Sequence, residues 1–227
     1  MSESNPATQK MGGQPRLRIL AIGGADLTDV IASTKNGGSK LTSGLSEKLA
    51  DAYQGKFTVD VTNHPAVTMK ELGDIIPGLN GDPDVVLLSV LSDVTGKGHL
   101  DTDSFEAEAR KVANSLKDKG AHVIFSNVST IDPQDTVTNY HGLQDDPPSL
   151  RAHKTALAIL DLSNQLGVSV VDADRLLAEM GAAPHVEKIG HYDAEASDIV
   201  CEEIKRILED YGFFENRPVM AQSGKRG

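Results

Sequence analysis

The chain has 227 residues, of which 39% are hydrophobic and 24% are charged. This length suits one medium-sized domain with a single hydrophobic core, and this composition excludes a wholly disordered chain. Its 33 acidic and 22 basic residues give a net charge of −11, which disfavours nucleic acid and anionic membranes as partners. The longest apolar run, Val85–Leu91, is too short to span a bilayer.

Three regions are predicted along the chain. Residues 1–16 are polar and have no apolar stretch like that of a signal peptide, so we expect a disordered N-terminal lead. Residues 17–212 are predicted to form the domain, and residues 213–227 a C-terminal tail that begins with Phe213 and Phe214. The single cysteine, Cys201, permits no internal disulfide and lies on the predicted inward face of the last helix. A cytoplasmic location is therefore the default expectation.

Apolar runs alternate with longer amphipathic stretches, which is typical of βαβ units around a parallel sheet. The predicted strands are Arg18–Ile22, Phe57–Asn63, Asp84–Val90, His122–Ser126 and Val168–Asp172. The predicted helices are Lys40–Tyr53, Met69–Ile76, Phe105–Lys119, Ser149–Leu166 and Ala194–Tyr211. We therefore expect an α/β fold, a three-layer α/β/α sandwich with a five-stranded parallel sheet. Right-handed crossovers favour the flavodoxin-like strand order 2-1-3-4-5.

In such a sheet, ligands bind at the carboxyl ends of the strands, where the strand order reverses. The loops after the first and third strands, residues 23–29 and 91–98, then face each other. Gly23 and Gly24 directly follow the first strand and allow close backbone approach, although a structural turn alone also explains them. The third glycine of a dinucleotide-binding fingerprint is missing.

The order of these features resembles that of the SGNH (GDSL-type) hydrolase family. A glycine-containing loop follows the first strand, the second strand ends at Asn63, and His191 stands immediately before a terminal amphipathic helix. The resemblance covers residues 18–211. The family motif Gly-Asp-Ser-Leu-Thr corresponds here to Gly24-Ala25-Asp26-Leu27-Thr28, so the position of the nucleophilic serine holds Asp26.

Other family positions also differ. The resemblance implies that the oxyanion-hole glycine is replaced by Ala66 and the oxyanion-hole asparagine by Ser92, whereas the histidine is kept as His191. Lys188 stands where the family has the acidic partner of that histidine. The residues predicted to bind substrate are Gly24, Thr28, Asn63, His64, Ser92 and Asp93. Because Asp26 has no hydroxyl, acyl transfer through serine is not expected at this site.

Two functional hypotheses follow from this resemblance. In the first, the chain is a divergent hydrolase acting on a small ester or another activated electrophile. Asp26 then attacks an electrophilic carbon while His191 activates water, or Asp26 itself acts as a base on water. In the second, the chain is a catalytically inactive SGNH-fold protein that binds a small molecule or a protein partner, and Asp26 only caps a turn.

Several points stay open at the level of sequence. Thr28 offers another hydroxyl, and His185 another imidazole. The long connection 126–149 is either a lid or a packed insertion. No local spacing of ligands indicates a metal, so neither a metal nor a cofactor is expected. The partner is expected to be a small molecule, with homo-oligomerisation left open.

Overall fold

The computed structural model describes nine stretches of the chain, which are residues 16–24, 26–27, 45–52, 58–64, 67–79, 82–95, 101–130, 146–181 and 185–214. The strands in these stretches are β1 (Arg16–Ile22), β2 (Thr58–His64), β3 (Val85–Ser89), β4 (His122–Ser126), β5 (Ser169–Val171), β6 (Val186–Lys188) and β7 (His191–Tyr192). The helices are α1 (Leu45–Ala52), α2 (Met69–Ile75), α3 (Leu91–Thr95), α4 (Thr102–Asp118), α5 (Pro148–Leu166), α6 (Ala173–Glu179) and α7 (Ala194–Asp210), with a 3₁₀ turn over Ile76–Gly78.

Five parallel strands form the central sheet in the order β2-β1-β3-β4-β5. This confirms the predicted strand number and order, and each predicted strand lies within two residues of the observed one. Helices α3 and α6 and the antiparallel hairpin β6–β7 were not predicted. These elements have seven residues or fewer, which is too short to give a periodic hydrophobic pattern.

Alternate residues of each strand face opposite layers of helices, as the two-residue period of a strand requires. In β3, Val86 and Leu88 pack with helices α2, α4 and α5, whereas Val85 and Leu87 pack with helices α1 and α7. Every residue of β3 is buried. The fold is therefore the expected three-layer α/β/α sandwich, with β3 at its centre.

The last helix closes the second layer. Cys201 is buried on its inward face as predicted, and burial raises the pKa of the thiol to about 12, so this cysteine is a core residue and not a nucleophile. Phe213 and Phe214 pack against the same apolar cluster, so the packed structure extends to residue 214. Residues 1–15 of the predicted lead, most of the 126–149 connection and the rest of the tail lie outside the described residues, whereas Arg16 begins β1.

Within the described stretches, no helix combines the length and apolar character needed to cross a membrane.

Candidate active site

Three segments meet at the carboxyl edge of the sheet. They are the loop after β1, the short helix α3 after β3, and the turn of the β6–β7 hairpin that leads to His191. Leu91, the first residue of α3, joins them. A Cβ atom added to Gly24 would lie 2.6 Å from Leu91 Cδ2, and one added to Gly190 would lie 2.5 Å from Leu91 Cδ1. The Leu91 side chain is therefore packed between two glycine backbones, one from each end of the chain.

Gly23 serves a second close approach. A Cβ atom at Gly23 would lie 2.9 Å from Ser89 Cβ and 2.8 Å from Leu27 Cδ1. The pair Gly23–Gly24 thus lets the loop after β1 lie directly on the end of β3, with Ser89 on one side and Leu91 on the other. Neither glycine has a positive φ, so close packing and not turn geometry explains this pair.

Asp26, which the sequence resemblance predicts at the position of the serine, has its side chain turned into the protein. The residue is 1% exposed. The Ser89 hydroxyl donates a hydrogen bond of 2.6 Å to Asp26 Oδ2, and the same hydroxyl accepts one of 3.0 Å from the Leu91 amide. Asp26 Oδ1 is buried and has no hydrogen-bond partner among the described residues.

Burial dominates the electrostatics of this carboxyl group. It raises the pKa of Asp26 from 3.8 to about 6, although the Ser89 hydroxyl and the backbone amides of Leu27, Asp26 and Gly24 act in the opposite direction. These amides lie close enough to favour the ionised form, but none of them forms a hydrogen bond with Oδ1. One oxygen is therefore anchored, and the other retains its acceptor capacity in a site of low polarity.

Ser89 is the site residue that the sequence analysis missed. It interrupts the apolar run of β3, and a hydroxyl in a fully buried strand needs a hydrogen-bond partner. That requirement is the signal in the sequence that indicates a polar neighbour of Ser89 at this end of the sheet. The partner itself, Asp26, lies 63 residues away in the sequence and follows only from the fold.

His191 lies in β7, opposite Lys188 in the hairpin, and is half-buried. It follows Gly190, whose φ of 74° is in the left-handed region. No hydrogen bond joins His191 to Asp26 among the described residues, since Oδ2 is held by Ser89 and Oδ1 has no partner. The packing of Leu91 nevertheless places the segment of His191 next to the loop of Asp26.

Two contacts hold the His191 segment in place. The phenol oxygen of Tyr192 accepts a hydrogen bond of 3.2 Å from the Ser129 amide at the end of β4, and burial raises the pKa of this phenol. Asp193 caps α7 by accepting from the Ala196 amide, and its other oxygen lies 2.8 Å from His185 Nδ1. His185, the alternative imidazole, is thus engaged with the cap of this helix.

The predicted binding residues after β3 divide into two environments. Ser92 is half-buried at the start of α3. Asp93 is 5% exposed and turns towards α2, where both of its oxygens accept from the Met69 amide, at 3.1 and 3.2 Å. Burial raises the pKa of Asp93 to about 7. In this position Asp93 links α3 to the start of α2, and a role in substrate binding stays a prediction.

The remaining predicted residues lie at the end of β2 or outside the described structure. Asn63 and His64 are the last residues of β2, opposite Ala21 and Ile22 in the register with β1. The His64 carbonyl accepts a 3.4 Å hydrogen bond from the Gly23 amide, which ties β2 to the loop of Asp26. Thr28 and Ala66 are not among the described residues. Within the described stretches, no three His, Cys, Asp or Glu side chains are grouped so as to hold a metal ion.

Comparison with known proteins gives a consistent picture of the fold. No family model and no curated protein sequence matches the chain. Solved structures do match it. A catalytic mutant of an acetylxylan esterase from Geobacillus stearothermophilus has a TM-score of 0.61 at 17% identity, over 90% of this chain and 97% of the esterase. A second acetyl xylan esterase has a TM-score of 0.64 at 16% identity, over 85% of this chain and 100% of the other.

A member of the lipolytic G-D-S-L family from Veillonella parvula also matches, with a TM-score of 0.56 at 11% identity over 86% of this chain and 98% of its own. The chain has the fold of the SGNH hydrolases. At these identities the likeness establishes the SGNH-like architecture and no particular reaction.

Because Leu91 packs between the two glycines, we expect the effects of substitutions at Gly190 and Leu91 on stability to depend on each other. Gly190→Ala introduces a Cβ 2.5 Å from Leu91 and strains a positive φ, so it should destabilise the protein by more than the ~1–2 kcal/mol expected from the backbone alone. In a Leu91→Ala background the contact is gone, and Gly190→Ala should cost at least ~1 kcal/mol less. Urea unfolding of the four proteins measures this difference. Additive costs, equal in both backgrounds, would show that the two segments do not meet at Leu91.

The burial of Asp26 predicts a pH-dependent stability. The pKa of Asp26 is higher in the folded chain than its ordinary value of 3.8, so the folded form binds the proton more tightly. Its contribution is therefore fully present below pH 3.8 and is lost as the pH rises through about 6. Over the whole range, from about pH 2.5 to about pH 8, this loss amounts to roughly 3 kcal/mol of unfolding free energy.

Asp26→Asn should remove that share of the pH dependence while keeping an acceptor for Ser89. Urea unfolding across this pH range measures it, with Asp118→Asn at the exposed end of α4 as the matched control. An Asp26→Asn protein whose stability follows the wild-type pH profile would contradict the buried, ionisable environment of Asp26.

Proposed function

We propose that the chain is a hydrolase that acts on a small ester or another activated electrophile, with the Asp26 carboxylate in place of the serine hydroxyl and His191 as the base. The observation that carries this proposal is Asp26 Oδ1, which has no partner among the described residues. The position that a Gly24 Cβ would take is 3.6 Å from this oxygen and 2.6 Å from Leu91 Cδ2. Oδ1 and the Leu91 side chain thus lie on the same side of Gly24, and Leu91 extends to Gly190, the neighbour of His191.

The surroundings of the Asp26 carboxylate orient it and raise its basicity. Ser89 holds Oδ2 and thereby orients the carboxylate, while Oδ1 has no hydrogen-bond partner within the described structure. A pKa of about 6 keeps the group mainly ionised at neutral pH and makes it a stronger base than an exposed aspartate. These are the properties that a carboxylate nucleophile or general base needs.

With a saturated carbon electrophile, Oδ1 attacks that carbon. A carbon–oxygen bond forms, the bond to the leaving group breaks, and the leaving group departs with the electron pair. His191 then takes a proton from water, and the resulting hydroxide equivalent attacks the carbonyl carbon of the Asp26 ester. The acyl–oxygen bond breaks, the alcohol leaves with a proton, and Asp26 is regenerated with one oxygen from water. With a carboxylic ester, Asp26 instead removes the proton from the attacking water, whose oxygen bonds to the acyl carbon. The acyl–oxygen bond breaks, and the alcohol leaves with a proton that His191 delivers to its oxygen.

Access to Asp26 depends on Leu91. Asp26 is 1% exposed, and the Leu91 side chain lies on the same side of Gly24 as Oδ1, so in this proposal the leucine turns away when a substrate reaches this oxygen. Leu91 is 8% exposed and belongs to the cluster of apolar residues on the α2, α4 and α5 side of the sheet. The same side chain therefore closes the site and links it to the core.

Turnover by active-site variants tests this proposal. Wild-type protein should hydrolyse p-nitrophenyl acetate or a small epoxide or haloalkane. Asp26→Asn and His191→Ala should each lower kcat/KM about 10²- to 10⁴-fold, because each removes a group that moves a proton or forms a bond. Asp60→Asn, on β2 and paired with Arg16, is the control for loss of one carboxylate elsewhere. Equal turnover by wild type, Asp26→Asn and His191→Ala would contradict the proposed catalytic roles of Asp26 and His191.

Isotope labelling distinguishes the two chemical roles of Asp26. A single turnover of a haloalkane or epoxide in ¹⁸O-water, with protein in excess, should place one ¹⁸O in the peptide that contains Asp26, as measured by mass spectrometry. Label found only in the product would rule out the covalent step and assign Asp26 the role of base on water. The Asp26→Asn protein provides the background incorporation.

A specific observation also favours the second candidate function, a binding protein on an SGNH fold. Asp26 is buried and makes no hydrogen bond with His191 in the described structure. In that case Asp26 and Ser89 fix the loop after β1, and the edge of the sheet holds a ligand without converting it. This function predicts no turnover of any of the substrates above and a small molecule retained through purification, detectable by native mass spectrometry. A preparation free of ligand that turns over substrate would exclude it.

A further inference from the structure

Most of the large hydrophobic side chains that are exposed among the described residues lie on one helix. Four large hydrophobic side chains are exposed among these residues, and three of them, Leu150, Leu157 and Leu160, belong to α5. Their exposed fractions are 39%, 56% and 37%. Isolated exposed leucines need no explanation, but three on one helix face form a patch, and such patches mark interaction sites.

The spacing of this patch is that of a coiled-coil seam. Leu150 and Leu157 are seven residues apart, and Leu160 follows three residues later, which gives heptad positions a, a and d. The d position between the first two leucines holds the exposed His153. The inward side of α5 is occupied separately, by Ala152, Ala156, Ile159 and Leu162 in the core. The helix thus has one apolar face used by the fold and a second, outward apolar face with no partner among the described residues. We call the outward face, Leu150, Leu157 and Leu160, the α5 seam.

We propose that the α5 seam is a dimer interface, at which a second copy of the chain packs its own α5 in the antiparallel direction. Charge complementarity supports this occupant. Lys154 and Asp161 flank the seam at the same heptad position and are both exposed. A two-fold axis close to Leu157 brings Lys154 of each copy beside Asp161 of the other, while the leucines at 157 and 160 meet between them.

The charge of the whole chain favours the same conclusion. A net charge of −11 repels a second copy over most of the surface. The outward face of α5 has one Lys, one Asp and His153 beside the leucines, so with histidine counted as neutral its formal charge is zero, and its Lys and Asp are complementary to those of a second copy. This face has no excess charge that would attract a strongly basic or strongly acidic partner. An identical helix in the antiparallel direction does match it, because its Lys and Asp lie opposite Asp and Lys.

Lys154 and Asp161 each have a partner within the same copy, and these contacts do not prevent pairing between two copies. Lys154 lies 2.5 Å from Asp146, and Asp161 accepts a hydrogen bond from Gln165. The side chains of Lys154 and Asp146 are 45% and 41% exposed, and exposed pairs of this kind contribute little to stability. Contacts across the seam can therefore replace them at small cost.

The size of the seam sets its expected strength. The helix from Leu150 to Asn164 is about 22 Å long, and a contact one helix wide belongs to the low end of specific interfaces. We therefore expect a reversible dimer with a dissociation constant on the order of micromolar and not an obligate assembly.

Sedimentation equilibrium of the full chain over a range of concentrations tests the proposal. Wild-type protein should follow a monomer–dimer equilibrium, and Leu157→Glu should weaken association at least about tenfold, because it places two like charges in the apolar seam. Lys111→Glu, on the exposed face of α4, is the matched surface control and should keep wild-type association. Monomeric wild-type protein at all concentrations, or a dimer that Leu157→Glu leaves intact, would overturn the interface.

Charge exchange tests the antiparallel arrangement. Lys154→Glu alone and Asp161→Lys alone should each weaken the dimer at least about tenfold at low salt, since each sets like charges opposite one another twice. The double variant Lys154→Glu/Asp161→Lys restores opposite charges and should regain wild-type association. A double variant no better than the single ones would overturn the proposed pairing. Circular dichroism and urea unfolding of each variant monitor the fold of the monomer.

Discussion

The packing of Leu91 between the backbones of Gly24 and Gly190 is the contact on which the candidate site depends. Parallel strands deliver their carboxyl ends to one edge of the sheet, but they do not by themselves bring residues 24 and 190 together. A side chain that fits between two glycines does so, because both backbones approach it more closely than any residue with a Cβ allows. The loop of Asp26, the end of β3 and the segment of His191 are thereby held as one unit.

A carboxylate at residue 26 determines how this unit is held together. The Ser89 hydroxyl at the end of β3 donates a hydrogen bond to Asp26 Oδ2. Burial makes the ionised form costly, so the pKa of Asp26 rises to about 6. The SGNH-like fold is present, and under the proposed function the chemistry at this edge of the sheet is that of a carboxylate and not of an alcohol.

The sequence predicted the strands and their order in the sheet, because both follow from simple patterns of residue type and chain connection. Strand runs rich in Val and Ile and right-handed crossovers predicted the five-stranded sheet and its order, because burial on both faces imposes that composition. The Asp26–Ser89 bond was beyond such reasoning, since nothing in the loop after β1 names its partner 63 residues away. The same holds for Leu91, which reads as an ordinary apolar residue until Gly24 and Gly190 are found on either side of it. The orientation of Asp93 towards the Met69 amide likewise depends on how α2 packs, and not on the residues around Asp93.

A titration of the Asp26 carboxyl carbon tests the central claim most directly. In protein labelled with ¹³C-aspartate, the signal that disappears in Asp26→Asn is assigned to Asp26, and Asp93→Asn identifies the other buried carboxyl group. We expect a midpoint for Asp26 near pH 6, because burial raises the pKa more than the Ser89 hydroxyl and the nearby backbone amides lower it. A midpoint at or below the ordinary value of 3.8 would contradict it, because the carboxylate would then be solvated or fully hydrogen-bonded and unsuited to act as base or nucleophile.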